Sequence, residues 1–268
     1  MIKENYHTHT YRCGHAIGTD EEYILEAIAY GLTEIGFSDH IFLPFHSQIG
    51  IRGEFEELEG YLSSLESLRE KYKDRIKIRI GFEAEAMSSY FSYYKKLLDE
   101  GRVEYLILGN HCDVSPKGGF IFYFSHATRK KDIIRYTNTL VKGIKTGLFK
   151  AVAHPDYFMG SYQKWDKTSI SCSKKICRAA KKYGVKLEFN FGAIRRGKRS
   201  FKNEYRFAYP YHKFWEIAKK YKCKVMIGLD AHSPNDISTL NNDGGYQMFK
   251  ELNLDLDQKM TFKQGELT

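Results

Sequence analysis

Short apolar runs alternate along the chain with longer segments in which apolar residues recur every three or four positions. Leu58, Leu62, Leu65 and Leu68 show the helical period clearly. The short runs have the length and composition of strands, and their regular alternation with helices is typical of βα units around a parallel sheet. We predict seven strands, at residues 5–8, 34–38, 76–82, 105–109, 151–153, 186–189 and 224–229.

The helical segments fall between these strands, at residues 21–30, 55–71, 90–100, 130–146, 173–183 and 211–221. Gly31, Gly147 and Gly184 follow three of them, where glycine readily takes the left-handed conformation that ends a helix. Because no Pro/Gly/Ser-rich linker divides the chain, we expect residues 1–268 to form one closed or nearly closed α/β barrel. Residues 41–53 and 113–127 fit neither pattern and are expected to be loops over a site.

Composition narrows the class of protein. Apolar residues make up 42% and charged residues 28%, and neither a membrane-spanning run nor a secretory peptide is evident, so we expect a cytoplasmic protein. The five cysteines are scattered without a Cys-x-x-Cys pair, which predicts free thiols. The net charge of +9 is spread over helical segments, and the basic residues are not interleaved with aromatics, which argues against a nucleic-acid partner. The sequence does not define the oligomeric state.

Histidines and carboxylates follow nearly every predicted strand. His7 and His9 stand two residues apart in an extended segment, so their rings project to the same side. Asp230 and His232 repeat this spacing after the last strand, which closure of a barrel brings beside the first. Since the carboxyl ends of parallel barrel strands share one face, the sequence predicts a single cluster there. Its other members are His15, Asp39, His40, Glu83, His111 and His154.

The chemistry of this cluster indicates metals. Imidazole and carboxylate ligands suit zinc, iron or manganese, and these groups are more numerous than one four-coordinate ion requires. We therefore expect two or three divalent transition metals. A single histidine after a strand is usually a core or surface residue, and His46, His126 and His212, which lack the spacing, are interpreted in that way.

These motifs resemble the PHP (polymerase and histidinol phosphatase) superfamily. The similarity runs from His7 to about Pro234, through HTHTYRCGHA, SDH, GFEAE, GNH, AHPD and GLDAH in order. It implies a distorted (β/α)7 TIM-like barrel and a trinuclear site. By the same resemblance, His7, His9, Glu83 and Asp230 would hold a first metal, Glu83 would bridge to a second metal with His111 and His154, and His15, His40 and His232 would hold a third.

The late segments LEFNFGAIRRG and YPYHKFWEIAKKYKCKVMIGLDAHSP are similar to those of the histidinol-phosphate phosphatases within the superfamily. This likeness implies a small-molecule phosphate ester as substrate, hydrolysed by a metal-bridging hydroxide in histidine biosynthesis. Glu83 and Asp230 would then be catalytic. Asp39, like Asp156, would orient a neighbouring ligand or protonate the leaving group.

Substrate contacts are less well defined by the sequence. Arg195 stands where the superfamily pattern has an arginine and is expected to bind phosphate, with Arg196 as the alternative. Glu85 is expected either to meet the substrate's ammonium group or to be a structural carboxylate. Met159 lies near the place of a basic residue in related sequences, and Lys164 or Ser161 are possible substitutes.

Two other functions compete with this one. The same fold and metals would also serve a nucleotide or nucleic-acid phosphoester, which the basic charge favours slightly. A regulatory module that binds metal without catalysis is the third possibility, although no expected ligand is missing from the sequence.

Overall fold

The predicted strands form one parallel sheet that is nearly closed into a barrel. The computed structural model describes residues 2–115, 119–202, 204–239 and 244–262. Its strands are β1 (Glu4–Asn5), β2 (Glu34–Phe37), β3 (Lys77–Ala84), β4 (Tyr105–Leu108), β5 (Cys112–Val114), β6 (Phe120–Phe122), β7 (Ala151–Val152), β8 (Lys186–Asn190), β9 (Arg199–Phe201), β10 (Glu204–Arg206) and β11 (Val225–Gly228). The parallel sheet has the order β1-β2-β3-β4-β7-β8-β11, and β5-β6 and β9-β10 are separate antiparallel hairpins. The expected barrel architecture is confirmed.

The first and last strands of the sheet are joined by a direct bridge and through side chains. Toward the carboxyl ends, Thr8 and Ala231 form a parallel bridge. Further back, the side chain of Gln258 lies between the two strands: its amide donates to the carbonyls of Glu4 and Ile227, and its oxygen accepts from the amide of Ile227. A glutamine from the segment after the last helix therefore takes the place of a strand-to-strand hydrogen bond at the amino end.

Helices connect the strands and cover the sheet. They are α1 (Asp20–Tyr30), α2 (Leu58–Lys71), α3 (Phe91–Asp99), α4 (Tyr123–His126), α5 (Lys130–Lys145), α6 (Lys167–Tyr183), α7 (Gly192–Arg195), α8 (His212–Lys220) and α9 (Gly244–Leu252). Helix α1 begins at a capping box made by Thr19 and Glu22. Helix α6 begins earlier than residue 173, because Asp166 accepts hydrogen bonds from the amides of Thr168 and Ser169 and caps its first turn.

Two differences from the expected elements bear on the site. Strand β3 extends to Ala84, so Glu83 lies inside the strand and not after it. Residues 113–127 are not simply a loop, because β5, β6 and α4 occupy much of them; residues 116–118 lie outside the described residues. Residues 41–53 contain no helix or strand, as expected.

The core is apolar, and the five cysteines are buried free thiols, as expected. Within the part of the chain that the structure describes, no helix combines the length and the apolar character needed to cross a membrane.

Candidate functional site

Glu83 lies at the centre of the predicted cluster. It is 1% exposed, and both of its carboxylate oxygens face histidine rings contributed by several strand ends. Its Oε2 lies 3.5 Å from His7 Nε2, 3.6 Å from His9 Nε2 and 3.1 Å from His40 Nδ1, and its Oε1 lies 3.4 Å from His111 Nε2 and 3.0 Å from His154 Nε2.

The first group of possible ligands forms where the sheet closes. His7 Nε2 and His9 Nε2 face each other at 3.0 Å, and Asp230 Oδ1 lies 3.6 Å and 3.2 Å from them respectively. The His-x-His and Asp-x-His pairs therefore meet across the junction of the first and last strands, as the spacing predicts.

Two further pairs of ring nitrogens have the same geometry. His111 Nε2 and His154 Nε2 are 3.1 Å apart beside Glu83 Oε1. His15 Nε2 and His232 Nε2 are also 3.1 Å apart, nearer the surface. His40 lies close both to the first group and to the His15–His232 pair. Its ring centroid is 4.4 Å from that of His9 and 5.5 Å from that of His15.

The donor atoms fit divalent cations. Among the described residues, several buried atoms of the cluster have no hydrogen-bond partner, which is costly unless a cation or proton satisfies them. Those that face the centre of the cluster are His40 Nδ1 and both oxygens of Glu83. Ligand atoms of His7, His9 and Asp230, and of His40, Glu83 and His111, form groups in which all atoms lie within 4.8 Å of one another. Mixed imidazole and carboxylate groups of this kind suit zinc, iron or manganese.

Electrostatics favours ionised carboxylates at the centre. Burial by itself would raise the pKa of Glu83, but His111 and His7 beside it lower that pKa well below its ordinary value. The pKa of Asp230 is likewise low, because His7 and His9 outweigh its burial. Ionised carboxylates are the form that binds metal.

The imidazoles divide into two kinds. Burial, together with His9, lowers the pKa of His40 well below its ordinary value and that of His232 to about 3, so both rings are neutral and able to bind a metal. Burial opposes protonation of His7 too, but Glu188 and the other nearby carboxylates outweigh it and raise the pKa of His7.

Backbone conformation places several of these side chains. Asn110, His154 and Asp230 follow strands β4, β7 and β11 with φ values of 51°, 30° and 51°. Non-glycine residues rarely adopt this left-handed region, and such strain is concentrated at functional sites. In each case, the residue stands two positions after the last residue of its strand.

Three carboxylates stand behind the ring nitrogens that face away from the centre. Glu188 Oε1 lies 2.7 Å from His7 Nδ1, Glu85 Oε1 lies 3.0 Å from His111 Nδ1, and Asp39 Oδ1 lies 3.5 Å from His9 Nδ1. A carboxylate in this position fixes the tautomer and orientation of a metal-binding histidine. The sequence did not lead us to Glu188; the signal was an acidic residue between the apolar Leu187 and Phe189 of strand β8.

Glu188 also supports a second part of the cluster. Its Oε2 accepts hydrogen bonds from the backbone amide of His154 at 3.2 Å and from Asn190 Nδ2 at 2.8 Å. On the neighbouring strand, a Cβ added to Gly228 would lie 1.7 Å from Glu188 Oε1. Only glycine at residue 228 leaves room for this carboxylate.

Asp39 and Asp156 are both buried. Asp39 accepts hydrogen bonds from the amides of Thr10 and His40. Asp156, whose pKa burial raises to about 7, accepts from the amide of Tyr211 and from Trp215 Nε1. The carboxylate of Asp156 therefore turns toward the start of α8.

Arg195 contacts the backbone that carries a cluster residue. It donates to the carbonyls of Leu229 at 2.6 Å and Asp230 at 2.7 Å, and its Nε lies 3.2 Å from Asp236 Oδ1. Asp236 in turn accepts from the amide of His232. These contacts suit a residue that holds Asp230 and His232 in place, and the phosphate contact expected for Arg195 stays a prediction.

Arg196, the alternative, lines a pocket beside the cluster. The pocket has a volume of about 200 Å³, and its lining includes Arg199 and the rings of Phe124, Tyr157 and Tyr209. Arg196 Nη2 donates to the Tyr209 hydroxyl at 2.6 Å. The ring centroid of Tyr157 lies 4.8 Å from that of His154 and 5.4 Å from that of His111, so the pocket opens next to the second pair of ring nitrogens.

The barrel and its cluster of histidines and carboxylates together define a class of metal-binding domain. The chain belongs to the PHP domain family, whose model matches residues 5–191. Asp230 and His232 lie beyond the matched residues, just after strand β11, which completes the barrel.

Relatives and solved structures agree with this membership. The chain is 26% identical over 235 residues to the "Probable histidinol-phosphatase" of Deinococcus radiodurans, covering 86% of each sequence. It is 23% identical to the "Probable histidinol-phosphatase" of Schizosaccharomyces pombe, covering 86% of this chain and 81% of that protein. Its fold is similar to that of histidinol phosphate phosphatase from Lactococcus lactis, solved with zinc, L-histidinol and phosphate, with a TM-score of 0.68, 19% identity and 95% coverage of both chains.

Proposed function

We propose that the protein is a metal-dependent phosphomonoesterase that hydrolyses L-histidinol phosphate to L-histidinol and phosphate, with residues 1–268 acting as one domain. The observation that carries the proposal is the ring of histidines around Glu83, directly beside a pocket lined by two arginines and three aromatic rings. The names of the relatives from Deinococcus and Schizosaccharomyces support the choice of substrate.

The ligand groups are proposed as two or three positions for divalent zinc, iron or manganese. The first would comprise His7, His9, Glu83 and Asp230; the second Glu83, His111 and His154; and the third His15, His40 and His232. Divalent ions held there would supply a nucleophile by lowering the pKa of bound water and would neutralise charge on the phosphoryl oxygens. Glu83 faces the first two groups with separate oxygens, which suits a bridging carboxylate.

The protein's own residues would then bind and orient the ester. Arg196 and Arg199 give the pocket a positive charge suited to the phosphate, and Phe124, Tyr157 and Tyr209 offer ring faces to the substrate's imidazole. We propose that Asp39, buried behind His9, orients that ring. Glu85 is proposed to do the same for His111, because its contacts are with protein groups.

The test is phosphate release by the purified, metal-loaded protein from histidinol phosphate, a 3′,5′-bisphosphonucleotide and a short oligonucleotide, measured side by side. The proposal expects histidinol phosphate to have the highest kcat/KM by a wide margin. Comparable or faster turnover of either nucleotide substrate would reject the assignment while leaving the metal site intact. Elemental analysis of the same sample should give two or three transition metals per chain.

A further inference from the structure

Residues 41–53 combine strongly exposed and deeply buried side chains. Phe45 and Ile49 are 99% and 86% exposed, whereas Gln48 and Arg52 are 7% and 2% exposed. An arginine is seldom buried to this degree unless it is fully paired. The burial of Arg52 therefore implies that protein groups pair with its guanidinium.

The guanidinium of Arg52 has three partners. It donates to the carbonyl of Ile41 at 2.9 Å, to the side-chain oxygen of Gln48, and to Glu85 Oε1 at 2.9 Å. The first two partners belong to the loop itself, so Arg52 fixes the loop's own path. The third connects the loop to strand β3 and its continuation.

Glu85 connects Arg52 to a histidine of the cluster. Its Oε1 also lies 3.0 Å from His111 Nδ1, and its Oε2 accepts from the amides of His111 at 2.6 Å and Cys112 at 3.2 Å. With Nδ1 held in this way, His111 directs Nε2 toward Glu83 and His154. The orientation of that ring thus depends on a carboxylate oxygen that Arg52 also holds.

We propose that Arg52 is a positioning residue that, through Glu85, holds His111 in the orientation needed for the second metal position. The inference rests on the proposed function, since it takes His111 to be a metal ligand. The loop at residues 41–53, which the sequence predicts as a cover, is therefore part of the support of the metal site. Lysine cannot replace arginine here, because one ammonium group cannot match the planar fork that reaches three acceptors.

The experiment compares zinc binding by Arg52→Met, Arg52→Lys and His111→Ala, using elemental analysis and competition with a chelator. We expect His111→Ala to lose one metal equivalent. Arg52→Met should bind that same equivalent about 10- to 100-fold more weakly, as loss of a ligand's supporting partner usually does. Its kcat for histidinol phosphate should fall at low zinc and recover in excess zinc, while KM stays unchanged.

Two further variants separate positioning from stability. Arg52→Met removes the cation that is paired with the buried Glu85 carboxylate, which destabilises a protein. The double variant Arg52→Met/Glu85→Gln removes both charges and should regain stability but not zinc affinity. Arg79→Met, which breaks the two ion pairs of a partly exposed arginine with Glu34 and Glu104, is the matched control and should bind zinc normally.

The outcomes are distinct. Normal affinity for every zinc equivalent in Arg52→Met and Arg52→Lys, with loss of one equivalent in His111→Ala, would overturn the role of Arg52 alone. Equal weakening of all equivalents, in step with a lower unfolding temperature, would also overturn it, because only global stability would then be involved. Full zinc content in His111→Ala would overturn both this inference and the metal assignment.

Discussion

The substitution Gly228→Ala tests how tightly the interior of the barrel is fitted around the metal site. A Cβ at residue 228 would lie 1.7 Å from Glu188 Oε1 and 2.3 Å from Glu188 Cδ, well inside van der Waals contact. Strand β11 is hydrogen-bonded to β8 and cannot easily withdraw, so the Glu188 carboxylate must move. It would then leave the position in which it meets His7 Nδ1 at 2.7 Å.

The size of the effect follows from the contact that is lost. A hydrogen bond to a charged group contributes about 1.5–3 kcal/mol. If His7 binds metal only when Glu188 holds its ring, this energy is lost from metal binding. Since 1.4 kcal/mol corresponds to a factor of ten, zinc should bind the first position about 10- to 100-fold more weakly.

The assay is zinc affinity by chelator competition, with circular dichroism to check the fold. Gly60→Ala is the matched control, because a Cβ at residue 60 of helix α2 meets nothing within 4 Å. It should bind zinc normally and unfold at a slightly higher temperature, since alanine favours a helix over glycine by about 1 kcal/mol. A folded Gly228→Ala protein with normal zinc affinity would refute the reasoning that Glu188 supports the site through His7.

Three further predictions concern other parts of the barrel. His7→Asn should abolish most phosphatase activity without unfolding the protein, and full activity would remove His7 from the site. Arg195→Met should lower zinc content, because Arg195 holds the carbonyl of Asp230. Arg196→Met should instead raise the KM for histidinol phosphate about tenfold or more at normal zinc content. The reverse pattern would make Arg195 the phosphate ligand. Gln258→Leu should lower the free energy of unfolding, measured by urea titration, by on the order of 2–3 kcal/mol, because it leaves buried backbone groups unpaired. An unchanged free energy of unfolding would contradict the role of Gln258 in closing the sheet.

The sequence was informative where chemistry follows strand periodicity. His7 and His9, two residues apart, had to share a face, and barrel closure had to bring the other paired motif beside them. The bridge between Thr8 and Ala231 confirms that closure. The strand ends could therefore be predicted to converge without any knowledge of side-chain rotamers.

Residues that act from behind the cluster could not be found in this way. Glu188 occupies a strand interior and Arg52 a loop, and the partners of both depend on packing between segments distant in sequence. Arg195 and Arg196 are adjacent, and the path of the short helix α7 decides which guanidinium meets the backbone of β11 and which meets the pocket. Such choices depend on three-dimensional packing that residue patterns do not encode.

The junction of the first and last strands carries a consequence for stability. At the carboxyl end, His7 and His9 lie on one side of it and Asp230 and His232 on the other. A metal ion bound between them would act as a cross-link that joins the two ends of the sheet. Zinc binding and barrel closure would then be thermodynamically linked, so that each tenfold excess of zinc over its dissociation constant adds about 1.4 kcal/mol to the stability of the closed barrel.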